Sequence, residues 1–249
     1  MKLPKKLTTD VASQVVLSID VHLLVRLFDQ ATDIAFFVKD SHGRYLAVNE
    51  SLLKRHGLKC KEDVIGKRPI EICTGDFGKL PTDQDARVLR TGRPLIDHLE
   101  MQLHQLFEPV WCLTTKLPIL DLGGKVSGLI GFSRDLRAHV KSDEMPAALA
   151  REIEKLEQNP SVISTPHMLA QQSNMTLKRL SRLTTRLFGL TPSQFINKNR
   201  VASATRLLRE SQDSIADIAL ACGFYDQSAF TRSFRLATGV TPSQYRKHL

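Results

Sequence analysis

Two seven-residue segments fifty positions apart carry the same end-of-helix chemistry. They are Gly189-Leu-Thr-Pro-Ser-Gln-Phe195 and Gly239-Val-Thr-Pro-Ser-Gln-Tyr245. In each, the glycine suits a helix C-cap, the threonine an N-cap, the proline the first helical position and the glutamine the third, as in a capping box. Seven residues before each glycine stands an arginine, Arg182 and Arg232. A guanidinium can grip a guanine edge with two parallel hydrogen bonds. A glutamine can do the same for adenine, and Lys, Ser and Thr serve phosphates. Helical spacing gathers Lys178, Ser181, Arg182, Thr185 and Arg186 into one polar face and Gln227, Ser228, Thr231, Arg232 and Arg235 into another. These ten are the candidate DNA-binding residues.

Such side chains need elements to aim them. Leu177, Leu180, Leu183 and Leu187 supply the inward stripe of the first arginine-bearing helix, and Phe230 and Phe234 that of the second. A shorter helix precedes each. One is capped by Thr165 or Ser164 and ends in a turn at Ser173-Asn174-Met175. The other is capped by Ser214 and turns at Gly223. Helix, tight turn and basic amphipathic helix form a helix-turn-helix unit, whose second helix enters the major groove. Pro192 to Arg209 reads as one helix of about 27 Å, long enough to set two such helices in successive grooves roughly 34 Å apart.

Charge follows the same division. From Pro160 onward there are 12 Lys and Arg against 4 Asp and Glu, a net +8, whereas the preceding residues hold 23 against 22. Basicity concentrated in one segment is the footprint of a polyanion partner.

The stretch from Ile218 through Gly223, Phe224, Gln227, Ser228, Phe230, Arg232 and Phe234 to Gly239 and Arg246 resembles the AraC/XylS-type DNA-binding domain. The resemblance runs from about Ile163 onward and implies that fold and sequence-specific DNA binding. It is looser in the first unit, where Ser173 stands at the usual turn glycine and Thr184 at a usually apolar position.

Upstream, the period changes from helical to extended. A helical apolar stripe (Val11, Val15, Ile19, Leu23, Leu27) leads into a buried strand, Ile34–Val38, a turn at 39–43 and a return strand, Arg44–Val48. Asn49 caps a helix to about Gly57. Short helices follow to Gly92, then strands Leu95–Leu103, Pro109–Leu120 and Lys125–Asp135, and a linking helix Ser142–Gln158. The hairpin Phe36–Asn49 and the ending Asp135-Leu136 make residues 28–136 resemble a small-ligand-sensing PAS domain. That resemblance implies an interior pocket, for which Phe36, Val38, Tyr45, Asn49, His56, Phe107, Trp111, Leu113 and Ile130 are the lining candidates. Most of these serve equally well as plain core. The flavin-photosensor form of this family needs an Asn-Cys pair after the Val64-Ile65-Gly66 step, where this chain has Arg68-Pro69. His56 is the conceivable haem ligand but reads as a helix-end histidine, so no cofactor and no metal are expected.

The sequence therefore predicts an α+β protein: a PAS-like antiparallel sheet with flanking helices, then an all-α domain of two helix-turn-helix units joined by a linker helix. Expected boundaries are 1–28 for the N-terminal helix, 29–137 for the sensor, 138–160 for the linker helix and 161–249 for the DNA-binding domain. Expected partners are double-stranded DNA and a second copy of the chain, with a small-molecule effector and RNA polymerase as further candidates. The alternative is a PAS-like domain that dimerises without a ligand. The 42% hydrophobic content suffices for two cores, but no apolar run approaches a membrane span, and the first twenty residues lack a secretory core. A cytoplasmic, non-membrane protein is expected. Cys60, Cys73, Cys112 and Cys222 read as reduced thiols, and no GxSxG, HExxH or phosphate-cradling loop suggests an enzyme.

Overall fold

The computed structural model describes residues 20–73, 75–103, 109–136, 145–162 and 165–247. The stripe residues Val11, Val15 and Ile19 and the lining candidate Phe107 lie outside them. Helix α1 (Val21–Phe28) opens on the Asp20 side chain, which accepts from the His22 amide. Strands β1 (Ile34–Asp40) and β2 (Tyr45–Val48) form the expected hairpin. The Asp40 carboxylate accepts from the backbone amides of His42 and Arg44, and Gly43 turns at φ 75°. Helices α2 (Glu50–His56), α3 (Pro69–Ile72) and α4 (Lys79–Thr91) follow. Strands β3 (Leu95–Leu103), β4 (Pro109–Leu120) and β5 (Val126–Asp135) complete one antiparallel sheet of order β2-β1-β5-β4-β3.

Strand alternation gives this sheet two chemically different faces. Cross-strand pairing puts Ala35, Phe37 and Lys39 of β1 with Leu129 and Ser133 of β5 and Thr114 and Lys116 of β4 on an inner face, under α2 and α4. The outer face carries Phe36, Val38 and Ile130 against α1, with Phe28 stacked on Phe36 at 4.4 Å between ring centroids. Farther along the same outer face, the pairs Leu99–Leu113 and Met101–Trp111 join the apolar core of the helical half.

That half contains α5 (Ala147–Gln158), α6 (Pro166–Gln172), α7 (Leu177–Phe188), α8 (Pro192–Glu210), α9 (Ile215–Ala221), α10 (Gln227–Thr238) and α11 (Pro242–Lys247). Leu149, Ile153 and Leu156 of α5 are buried among them, so this helix is packed into the core. Side-chain oxygens of Thr165, Thr176, Thr191, Ser214 and Asp226 cap the helices they precede. Both repeats close as capping boxes: the Thr191 and Thr241 amides donate to Gln194 and Gln244 at 2.9 Å. Among the described residues no helix is long and apolar enough to cross a membrane.

Candidate nucleic-acid interface and interior cavity

Each unit turns through one left-handed residue, but at places the repeat spacing does not indicate. In the second unit it is Gly223, φ 78°, and in the first it is Asn174, φ 52°, while Ser173 ends α6 at φ −86°. Asn174 therefore does the work that Ser173 was expected to do, and asparagine tolerates that conformation better than most residues. The first turn is one residue shorter. The caps Thr165 and Ser214 lie 49 apart, the caps Thr176 and Asp226 lie 50 apart, and the amides of Met175 and Phe224 bond back to Ala170 and Ala219.

Helices α7 and α10 hold their polar faces outward. Lys178, Arg182, Thr185 and Arg186 are exposed and Ser181 is half-buried. On α10, Gln227, Ser228, Arg232 and Arg235 are exposed and Thr231 is half-buried. Phe230 and Phe234 are fully buried beneath α10, whereas beneath α7 Leu180 and Thr184 take that role and Leu177 is exposed. Leu177 opens its helix and extends past the core, so the inward stripe is shorter than the leucine spacing suggested. Between the two units runs α8, 19 residues, a rod of about 28 Å.

The sheet-bearing half rests on the far ends of both arginine-bearing helices. A Cβ placed at Gly189, the C-cap of α7, would meet Arg134, Leu113 and Leu136 at 3.5–3.9 Å. One placed at Gly239, the C-cap of α10, would lie 2.7 Å from Leu80. The two capping-box glutamines reach across as well: Gln194 Nε2 donates to the Asp97 carbonyl at 3.2 Å and Gln244 Nε2 to Asp76 Oδ2 at 3.3 Å. Phe77 meets Tyr245 edge to face at 6.3 Å.

Between the inner face of the sheet, helices α2 to α4 and the end of α10 lies a cavity of about 260 Å³. Tyr45 and His56 line it, but most of the expected lining residues lie elsewhere. Phe36, Val38 and Ile130 are on the outer face against α1, one residue out of phase with the inner-facing Phe37 and Lys39. Asn49 is fully buried and fully used: Oδ1 accepts from the Phe36 and Leu52 amides, and Nδ2 donates to the Phe28 and Ile34 carbonyls. It ties α2 to β1 and has no hydrogen bond left for a ligand. Trp111 and Leu113 belong to the core shared with the helical half.

The cavity wall contains charged residues that the sequence reading passed over. Lys39 and Lys116, 1% and 2% exposed, both donate to the single carboxylate of Asp85, Lys116 at 2.6 Å to Oδ1 and Lys39 to Oδ2. Lys39 Nζ also sits 4.1 Å above the Tyr45 ring centroid and 4.8 Å from that of Phe37. Burial draws the Lys39 ammonium down to about 8. Burial pushes the Asp85 carboxyl up, but Lys116 and Lys39 outweigh it and hold it below the ordinary carboxylate value. Glu100 accepts from Gln84 Nε2 at 2.6 Å, Thr114 Oγ1 at 2.6 Å and Gln102 Nε2 at 2.8 Å. Arg55 Nη2 donates to the Ser133 and Asp33 carbonyls and pairs with Asp135 at 2.8 Å. Cys73 also lines the cavity, and burial pushes its thiol up to about 11, which leaves it protonated and unreactive near neutrality.

A capped pair of helix-turn-helix units on one connector, beside a five-stranded antiparallel sheet with a cavity, defines a DNA-binding architecture in two parts. Residues 169–248 match the family model described as a helix-turn-helix domain, and residues 28–141 match the model described as the PAS fold. The chain thus carries an AraC-type helix-turn-helix domain behind a PAS domain. It is 40% identical over 78 residues to the HTH-type transcriptional activator RhaS of Pectobacterium atrosepticum and 37% over 79 residues to that of Escherichia fergusonii. These matches span 31% and 32% of this chain and only 28% of each relative's length. Among solved structures, the DNA-binding domain of AdpA in complex with a target DNA is similar at 29% identity, covering 41% of this chain and 91% of that one, with a TM-score of 0.39. The Vibrio cholera VqmA–ligand–DNA complex is similar at 20% identity, covering 92% and 94%, with a TM-score of 0.44.

Proposed function

We propose that the protein is a sequence-specific transcription regulator whose PAS domain senses a small molecule. The observation that carries this reading is the pair of exposed arginines, Arg182 and Arg232, at repeat-equivalent positions of α7 and α10 at either end of α8. One chain would then read an asymmetric site through two successive major grooves, each arginine on a base edge and Lys178, Ser181, Ser228 and Thr231 steadying phosphates. Residues 161–249 form the reading domain, 29–137 the sensor and 138–160 the connection between them. RNA polymerase is the further partner of a regulator of this kind.

The interior cavity favours a ligand over a role in dimerisation alone, because a sheet that only dimerises has no use for a polar-lined void. A second copy of the chain would pair through α1, where Leu23 and Leu27 are exposed beside Arg26. Leu23→Arg should then yield a monomer by sedimentation. The function itself is tested by selecting bound sequences from random DNA with the full-length protein. Enrichment of one asymmetric motif supports the reading, and retention of all sequences alike counts against it.

A further inference from the structure

The cavity wall sets two ammoniums, Lys39 and Lys116, against the single carboxylate of Asp85. Lys39 carries three N–H groups, and among the described residues its hydrogen-bond partner is Asp85. Arg55 is 5% exposed and lines the cavity, and among the described residues its buried Nη1 has no hydrogen-bond partner, nor has the buried Oδ1 of Asp135, with which it forms an ion pair. A buried guanidinium nitrogen left unpaired is expensive, and native proteins seldom tolerate one without a function. Of the carboxylates nearby, Asp85 serves two ammoniums, Asp135 pairs with Arg55, and Glu100 takes three donors, all of them neutral. The Lys39–Asp85–Lys116 cluster therefore holds two positive charges against one negative.

Part of the remaining wall is apolar. Phe37, Tyr45, Ile72, Phe77 and Leu80 contribute to it, and so does Thr238 from the last turn of α10. An apolar cavity of about 150 Å³ accepts a benzene ring, so the 260 Å³ found here suits one substituted ring.

We propose that this cavity binds a small organic acid, its carboxylate against Lys39, Lys116 and Arg55 and its single ring against Phe37, Tyr45 and Phe77. This rests on the sensor reading above and gives it a ligand class. Because Thr238 belongs to the same wall, the bound acid touches the second arginine-bearing helix directly, and occupancy is transmitted without a relay through the sheet.

The test is thermal unfolding of the full-length protein with three single-ring acids, benzoate, salicylate and nicotinate, each against its uncharged amide. A ligand bound only by the native state raises the melting temperature. At least one acid should do so, and its amide should bind about tenfold more weakly, because charge-assisted hydrogen bonds to an anion are the stronger kind. Lys39→Met leaves Lys116 paired with Asp85, so the variant should fold, and it should lose that preference for the acid. Should it not fold, the wild-type contrast between acid and amide decides alone. Equal stabilisation by acid and amide, or no stabilisation by any acid, overturns the proposal. A neutral or basic compound that stabilises in place of the acids overturns the ligand class while leaving the sensor reading standing.

Discussion

Gln244 Nε2 donates to Asp76 Oδ2 at 3.3 Å, so a residue that caps α11 also ties the helical half to the sheet-bearing half. Its repeat counterpart Gln194 does the same toward the Asp97 carbonyl. The capping role and the docking role can be separated, because glutamate serves equally well as the third residue of a capping box. Gln244→Glu should keep α11 intact but set a carboxylate against Asp76. We expect a loss below about 1 kcal/mol in denaturant unfolding, as for an exposed charge pair. Adding Asp76→Asn should recover that loss. An unchanged stability in Gln244→Glu would show that this contact contributes nothing to docking.

Lys39 makes a prediction about alkaline pH. Burial chiefly holds its ammonium at about 8 in the folded chain, against an ordinary value of 10.5. Between those values the unfolded chain binds more protons than the folded one, so this group makes stability rise with pH from about 8 to 10.5. Cys73 and Tyr45, pushed upward by burial, act in the opposite direction over part of that range. The test is therefore the difference between wild type and Lys39→Met in denaturant unfolding. Wild type should gain on the variant as pH climbs from 8 to 10, and a flat difference would mean that Lys39 is not destabilised by burial.

Trp111 reports on domain docking. It is 8% exposed and lies on the outer sheet face, in the core shared with α5 and the C-terminal helices. Trp111→Ala should cost about 3–5 kcal/mol, the usual range for a buried aromatic. Its fluorescence should change more when the two halves separate in denaturant than when the cavity fills. A large signal from cavity occupancy in a chain that stays compact would contradict this placement.

The two turns differ in what they tolerate. Asn174 at φ 52° should accept glycine with little change or a small gain, since glycine adopts this conformation without strain. Gly223 should not accept alanine, because φ is 78° and the added Cβ would lie 2.8 Å from the Pro160 carbonyl oxygen. Melting temperatures of the two variants check this, and equal tolerance at both positions would contradict it.

The helical half was legible because caps, turns and inward stripes are local signals. Thr191, Gln194, Gly223 and Phe234 each announce their place within a few residues. The one-residue difference between the turns escaped because Ser173 and Gly223 align perfectly at the repeat spacing. The sheet was legible as strands, but which side of β1 faces the cavity was not. Both faces of Ile34–Asp40 are covered, so Phe36-Phe37-Val38 shows no alternation. Lys39 and Lys116 passed unnoticed because a charged residue in a strand ordinarily faces solvent. The available clue was a lysine set within or directly after an apolar run, with Asp85 on a neighbouring helix to answer it. The docking of Gly239 on Leu80 has no sequence signature, since any apolar side chain could fill that contact.

The central claim is that α7 and α10 read two halves of one asymmetric site, and competition binding with Arg182→Ala and Arg232→Ala addresses it most directly. Each full-length variant is measured against operator variants altered in one half at a time. Each substitution should cost about 1–3 kcal/mol and relax preference only at its own half, leaving the other half still discriminated. A uniform loss across all operator variants for both mutants, with the salt slope lowered by about one, would place these arginines on phosphates and contradict the account.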